Sequence, residues 1–401
     1  MFLLSCSLLE IMLLLDTLGL LFIWLSCWVF TIIFLSLYRD VNVNFFYLNS
    51  LGLLFVLTQL LFIAGDFLVY FVMFELTVIP LLVLLSLSSV SVRKTYAVFY
   101  MIFFVMVGTI LFLCTWCYFI EYSLWLSWIL MTSILLDGID LLVITALSLL
   151  FVLVKIPSFP FYFWLPEAHV EVTIEGSVIL AGIVLKLAAY GSIRLVSLFT
   201  ASILEYVVLE LVLIVNVGLV LVALSIFCQV DYKKIIAYSS VFHVNVALYV
   251  LFLRELSGSQ FYIIFTISHG ILSSVLFVLF GFFYVQSGNR NVRLSFLMWS
   301  HSPSIAAWWI FFLLFNTNFP WFMNFYAELG LFLLLAVICK WLVTFIAVLS
   351  LLCFSYSMIL TLRFCFSSNL SNVNCRDIGG EYSAYFLTGL TFFVIMFLIA
   401  L

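Results

Sequence analysis

Long uninterrupted apolar runs separated by short polar breaks dominate this chain, and their length decides what they are. About 20 apolar residues in a helix, at about 1.5 Å each, match the hydrocarbon thickness of a bilayer. By that measure the pattern predicts twelve spanning segments, at about 10–37, 46–64, 67–91, 97–121, 139–166, 172–197, 203–227, 232–253, 259–285, 296–338, 340–366 and 384–401. A transmembrane barrel would show strands of about ten residues alternating apolar with polar, and the continuous runs here do not. The expected fold class is therefore an all-α polytopic membrane protein. The interval 122–138 reads as a loop with a short surface helix. The fifth run carries Pro157 and Pro160, which would free the carbonyls of Leu153 and Ile156 in a continuous helix. The tenth, too long for one span, contains Asn316-Thr317-Asn318-Phe319-Pro320, so both runs are expected to break in mid-membrane.

Composition agrees: of 401 residues, 67% are apolar and 8% charged, which excludes a soluble domain. A net charge of −4 with no basic run argues against a nucleic-acid partner. Met1 to Tyr38 contains no Lys or Arg, so no signal or transit peptide is expected, as for a protein made beside its own membrane in a bacterium or an organelle. The 46 phenylalanines hint at an AT-rich organelle genome. Nine cysteines are scattered, and Cys114 and Cys117, the one close pair, read as ordinary lipid- or core-facing residues. Glu167, His169 and Glu171 have the side chains of a metal cluster but sit at a helix junction near the interface, where a structural role is the simpler reading.

Charge also orients the chain. Threading the segments alternately collects Arg39, Arg93, Lys94, Lys233, Lys234, Arg290, Arg293, Arg363 and Arg376 on one side, and only Arg194, Arg254 and Lys340 on the other. By the positive-inside rule the richer side is cytoplasmic, or the matrix side of a mitochondrion, and both termini face outward. Arg194 and the Lys233-Lys234 pair are then most simply topology anchors. Lys155 and Lys186 remain, inside apolar segments, where a charge costs roughly 2.5–3.5 kcal/mol on insertion scales. Glu75 and Glu328 are buried likewise. Counted from segment midpoints at about 1.5 Å per residue, Glu75, Lys155, Lys186, His243 and His269 lie within roughly 6 Å of the midplane. Such a layer of acid, amine and imidazole, bridged by water or by Tyr162, Tyr238, Ser239, Ser240 and Asn245, is what proton transfer requires. Prolines 80, 157, 160 and 320 lie within a few turns of these groups, and the two broken segments suggest two repeated halves, roughly 46–197 and 203–366. Residues 1–45 and 367–401 would then contribute a terminal helix each.

The residues at these positions closely resemble a known family. Val154-Lys155-Ile156-Pro157, Trp164-Leu165-Pro166-Glu167-Ala168-His169-Val170-Glu171, Gly176-Ser177, Leu185-Lys186-Leu187 and Tyr190-Gly191 resemble the proton-translocation signature of the chain 4 family of NADH:ubiquinone oxidoreductase, respiratory complex I. Further matches are Phe74-Glu75-Leu76 with Pro80, Gln229 to Asp231 with Lys233, Ala237-Tyr238-Ser239-Ser240 with His243, Ser268-His269-Gly270 with Ser273-Ser274, and Ala327-Glu328-Leu329. Sister antiporter-like subunits and multisubunit cation/proton antiporters share parts of this set. The resemblance implies an antiporter-like fold with two inverted five-helix repeats. It assigns Glu75 and Lys155 to a coupling ion pair, Lys186 to the central proton carrier, His243 and His269 to connecting relays, and Glu328 to the outlet or inter-subunit side. It implies no redox cofactor in this chain, with flavin, iron–sulfur clusters and quinone in partner subunits, and it implies membrane-arm neighbours, lipids and the mitochondrial inner membrane as surroundings. The chain departs from the family at Tyr162, which replaces a usual histidine and is at most a hydrogen-bond relay, at Pro160 and Thr173, and at Glu175, an added acid near the helix of Lys186. Its N-terminus is about two helices shorter, expected to be the peripheral first pair. A proton-pumping subunit is thus the leading expectation. A sodium/proton antiporter subunit and a static membrane scaffold are the alternatives, and a haem-binding electron carrier fits less well.

Overall fold

The computed structural model describes residues 16–37, 44–87, 92–122, 139–197, 201–252, 256–292, 302–320, 322–338 and 340–366. The expected helix within 122–138 and the last span, 384–401, lie outside these residues, as do Arg39, Arg254, Arg293 and Arg376. The described residues are almost wholly helical and contain no strand, only isolated bridge residues at Ala64 and Asp66 and a bridge between Asp231 and Asn291. Contacts divide the chain into two compact units, Met1–Val215 and Asn216–Leu401.

The first unit contains α1 (Thr17–Leu37), α2 (Phe45–Ile63), α3 (Phe67–Leu87), α4 (Val92–Tyr122), α5 (Ile139–Lys155), α6 (Trp164–Glu171) and α7 (Ile174–Ser197), with a π-helical turn at Leu180–Val184 inside α7. Helix α8 (Ala201–Cys228) contains the division between the units. The second unit contains α9 (Tyr232–Phe252), α10 (Leu256–Ser287), α11 (Pro303–Asn316), α12 (Met323–Ile338) and α13 (Lys340–Phe366).

Seven of these helices, α1 to α4, α7, α10 and α13, are long and apolar enough to cross a membrane, while α5, α8, α11 and α12 have shorter described apolar stretches. Two expected spans are therefore each divided. The fifth becomes α5, a turn and α6; the tenth becomes α11, a turn and α12. The cause is local. Prolines cannot donate to the ladder and disfavour the helical conformation in the preceding residue, and α5 and α11 both stop ahead of them.

Each unit is packed around one helix. In the first, α7 contacts α1, α2, α3, α5 and α6, and 83% of its apolar window is buried, against 22% for α4, which presents Ile102, Phe103, Met106, Ile110 and Leu113 outward. Phe22, Phe62 and Tyr190 join α1, α2 and α7 with ring centroids 5.5–6.0 Å apart. In the second, α10 is the hub, touching α9, α11 and α12 with 89% of its window buried. Tyr232, Phe283, Trp309 and Phe364 form its aromatic end, with Trp309 and Phe364 stacked at 4.2 Å. No hydrophobic force drives one helix onto another in lipid, so close packing of this kind is what holds the helices together.

Gly191 shows how close that packing is. The Tyr70 hydroxyl donates to the Leu187 carbonyl across α3 and α7 at 3.0 Å, and a Cβ on Gly191 would overlap the Tyr70 ring. Gly191→Val is expected to push α3 off α7 at a cost of about 1–3 kcal/mol, as overpacked cores do. The check is the thermal unfolding midpoint of the purified protein in its membrane assembly, which should fall; an unchanged midpoint would contradict the contact.

Candidate functional site: buried charges at helix breaks

Lys155 is the last residue of α5, at the break that Pro157 and Pro160 lead one to expect. That placement lowers its burial cost in two ways. The C-terminal carbonyls of a helix are the negative end of its dipole, which favours a cation. The turn also gives the freed carbonyls new partners: the Ser158 amide and hydroxyl both donate to the Leu153 carbonyl, at 3.3 and 2.8 Å. Satisfying the backbone inside the protein in this way is what allows a break at membrane depth.

The ammonium of Lys155 donates to Glu75 Oε1 at 2.8 Å, and the side chains are 6% and 21% exposed. Glu75 lies on α3, five residues before Pro80. Phe74 places its ring 4.5 Å from the same ammonium, adding a cation–π contact. The stem of Lys155 crosses α4 at Gly108, where any Cβ would stand 2.6 Å from Lys155 Cε. Gly108 is therefore the clearance that lets lysine reach α3, and nothing in the hydrophobic pattern marked it. Beside the ion pair is a cavity with about 30 Å³ of space for water, lined by Thr77, Val105, Val154, Lys155, Trp164 and Val184 among others. A single water needs about 10–15 Å³ on this measure, so the site can hold one or two.

Lys186 is 2% exposed and is the second residue after the π-helical stretch. There the ladder widens around Ala181 and Gly182, and the Lys186 ammonium donates to the Ala181 carbonyl at 2.7 Å. Single π turns occur mostly at functional positions, because each is a local defect that packing must sustain. Val184 of this turn lines the cavity beside Lys155, so Lys155 and the π turn share that space. Tyr162 is 5% exposed and stacks on Phe163 at 4.2 Å, and it does not line the cavity. Glu175 lies in the first turn of α7, the helix of Lys186, as expected, and accepts from the Tyr47 hydroxyl at 3.1 Å, while Thr173 caps α7 by accepting from the Gly176 amide. Arg194 is more than a topology anchor: its guanidinium pairs with Asp16, fixing the start of α1 against the end of α7. His169 is fully buried on α6, and among the described residues no three His, Cys, Asp or Glu side chains gather as metal ligands would.

In the second unit, His243 on α9 and His269 on α10 place their rings 5.6 Å apart, each at most 2% exposed. Ser240 and Asn245, expected as bridges, turn back on carbonyls of their own helix. A polar group that the sequence reading passed over continues from His269 instead. Its neighbour Ser268 donates to Asn324 Oδ1, and Asn324 lies one turn before Glu328 on α12. Glu328, 6% exposed, accepts from the side-chain amide of Asn318. Asn318 holds φ at +59° in a left-handed turn that ends α11: Phe319 N donates to the Leu314 carbonyl and Asn318 N to the Phe315 carbonyl. That pair of bonds is a Schellman cap, and asparagine is one of the few residues that accept its left-handed position. The asparagine needed by the break thus also supplies a donor to the buried acid.

These features define a class: a multi-pass helical membrane protein in which paired or hydrogen-bonded ionisable groups sit at interrupted helices, the architecture of ion-translocating antiporter-like proteins. The chain belongs to the NADH:quinone oxidoreductase/Mrp antiporter transmembrane family, whose family model matches residues 64–355. Its relatives include NADH-ubiquinone oxidoreductase chain 4 of Arbacia lixula, 32% identical over 319 residues that cover 76% of this chain and 69% of that one. Chain 4 of Paracentrotus lividus is 31% identical over 70% of this chain and 60% of its own length, and that of Acanthamoeba castellanii 31% over 79% and 65%. The chain thus spans roughly two thirds of the length of these relatives. Among solved structures, a chain of respiratory complex I from Thermus thermophilus superposes with a TM-score of 0.84 at 21% identity, covering 95% of this chain and 81% of that one. A chain of the Mrp complex from Dietzia sp. superposes at 0.81 with 18% identity, covering 90% and 67%.

The ion pair generates a stability prediction. Glu75→Ala strands the Lys155 ammonium without a counter-charge and should cost about 3–5 kcal/mol, whereas Glu75→Leu with Lys155→Met should cost far less. Thermal melts of the purified assembly should rank the double variant above the single one. The reverse order would show that the pair is not buried as described.

Proposed function

We propose that this chain is a proton-translocating membrane-arm subunit of NADH:ubiquinone oxidoreductase, in the mitochondrial inner membrane, driven by electron transfer in other subunits. The relatives named chain 4 support the assembly, and their eukaryotic sources support the mitochondrion. The observation that carries the reading is the Glu75–Lys155 pair, held at a helix break beside a cavity that can take water and that reaches the π turn before Lys186.

Glu75 and Lys155 form the coupling pair. A charge change in a neighbouring subunit alters the hold of Glu75 on Lys155, and the altered field changes the proton affinity of Lys186, whose ammonium is bound to a neutral carbonyl. His243 and His269 relay the proton in the second unit, and Glu328 passes it outward or to the next subunit. Tyr162 takes part at most by hydrogen-bond exchange, since a phenol does not readily charge. The two broken helices, each with a buried ionisable group, support the reading of two inverted five-helix repeats at about 46–197 and 203–366. Both chain termini lie on the intermembrane-space side. Flavin, iron–sulfur clusters and quinone belong to partner subunits in this scheme.

The likeness to the Mrp chain favours a second reading, a sodium/proton antiporter subunit using the same residues. The two differ in assay. Lys186→Ala is expected to abolish most proton pumping by the assembled enzyme in vesicles while NADH oxidation continues with an artificial acceptor. Unimpaired pumping would overturn the proposal, and sodium-dependent exchange by the chain in vesicles lacking redox subunits would favour the antiporter.

A further inference from the structure

The two buried acids are held differently. Glu75 faces an ammonium, whereas Glu328 meets no basic group at ion-pair distance among the described residues. Its one hydrogen-bond donor among those residues is the side-chain amide of Asn318, which reaches Oε2. A full counter-charge would tie a carboxylate to its ionised form. A neutral amide positions the group and leaves it able to take a proton.

The donor is itself anchored. The backbone of Asn318 is tied through its own N to the Phe315 carbonyl, and the next residue, Phe319, through its N to the Leu314 carbonyl. Asn316, the last residue of α11, is buried and donates from Nδ2 to the Tyr356 hydroxyl at 3.3 Å, which holds the same turn against α13. The break therefore presents two amides to two helices, one to Tyr356 on α13 and one to Glu328 on α12. A donor on an anchored backbone holds its target with little freedom, which is the condition for a preorganised site. The turn alone does not call for this side chain, because glycine fits the left-handed position at least as well and has no amide to offer. The orientation of the amide is also decided by Glu328: Nδ2 meets the carboxylate, and Oδ1 is left buried without a partner among the described residues.

We infer that Asn318 is a positioning residue for proton transfer at Glu328: its amide holds Oε2, and Oε1 is the oxygen that takes up and releases the proton. A proton on Oε2 would compete with the amide hydrogen for that oxygen. Uptake therefore adds the proton to Oε1 and release removes it from there, while both amide hydrogens stay on Nδ2. In the protonated acid Oε2 is the carbonyl oxygen, still bonded to the amide. This rests on the proton-translocation reading and deepens it, naming the group that orients Glu328 and the atom that carries the proton.

The test uses the assembled enzyme in membrane vesicles. Asn318→Gly keeps the left-handed turn and removes the donor; Asn318→Asp keeps the turn and the side-chain size but offers acceptors in place of the donor. Each should lose most of the protons pumped per NADH oxidised. The readout that a merely structural role would not move is the carboxyl C=O stretch of protonated Glu328 in the redox-induced infrared difference spectrum, identified as the band lost in Glu328→Gln. Freed from its donor, that carbonyl should stretch at higher frequency in Asn318→Gly. Asn316→Ala breaks the neighbouring bond to Tyr356 and should leave the band in place. A band unmoved in Asn318→Gly, or wild-type pumping by both Asn318 variants, overturns the inference, and so does an equal shift in Asn316→Ala, which would mark a loosened turn. If Glu328→Gln stops pumping while Asn318→Gly pumps normally with an unmoved band, only the role of Asn318 is wrong; if Glu328→Gln pumps normally or removes no band, the underlying reading of Glu328 fails as well.

Discussion

A charge inside a membrane must find its partners within the protein, and most of what is distinctive in this structure follows from that constraint. A lysine or glutamate on an intact apolar helix would face hydrocarbon with nothing to bond. An interrupted helix solves the problem from both sides. It exposes carbonyls or a dipole end to a cation, and it makes room for a second side chain or a water. Lys155 at the end of α5, Lys186 after the π turn and Glu328 beside the α11 cap are three versions of the same solution.

The interruptions themselves carry a cost, and the residues around them show how it is contained. Every freed carbonyl at membrane depth needs a donor. After α5, Ser158 provides two donors to Leu153. After α11, the Schellman pair closes the end, and the left-handed residue is an asparagine whose side chain has a second use on Glu328. Within α7 no proline acts, and the widened turn is sustained by burial, with α1 packed against it. Small residues complete the arrangement where helices must approach: Gly108 leaves space for the stem of Lys155, and Gly191 for Tyr70. The polar sites and the close packing are therefore one design, since lipid gives neither water nor a hydrophobic force.

Much of this was legible in the chain. Continuous apolar runs mark helices because lipid leaves the backbone no other way to pair, and prolines mark the breaks because they have no amide hydrogen to give. The approach of Glu75 to Lys155 and of His243 to His269 was also within reach, because buried ionisable groups seek one another and these lie at similar depth. Other features were not. Arg194 read as a surface anchor until Asp16, 178 residues away, was found beside it. Glu175 lies on the helix of Lys186 as expected, but nothing local marked its partner, Tyr47 of α2. Asn318 read only as part of a break.

What the sequence by itself determined is the all-helical class, where two helices stop, and the burial of Lys155, Lys186, His243, His269 and Glu328, because each is a property of a local run measured against the thickness and dryness of a bilayer. The tertiary structure alone decided which side chain holds each charge, where a π turn opens, and where space for water lies. Those depend on contacts between helices far apart in the chain, set by the fit of whole surfaces, and no local pattern encodes them.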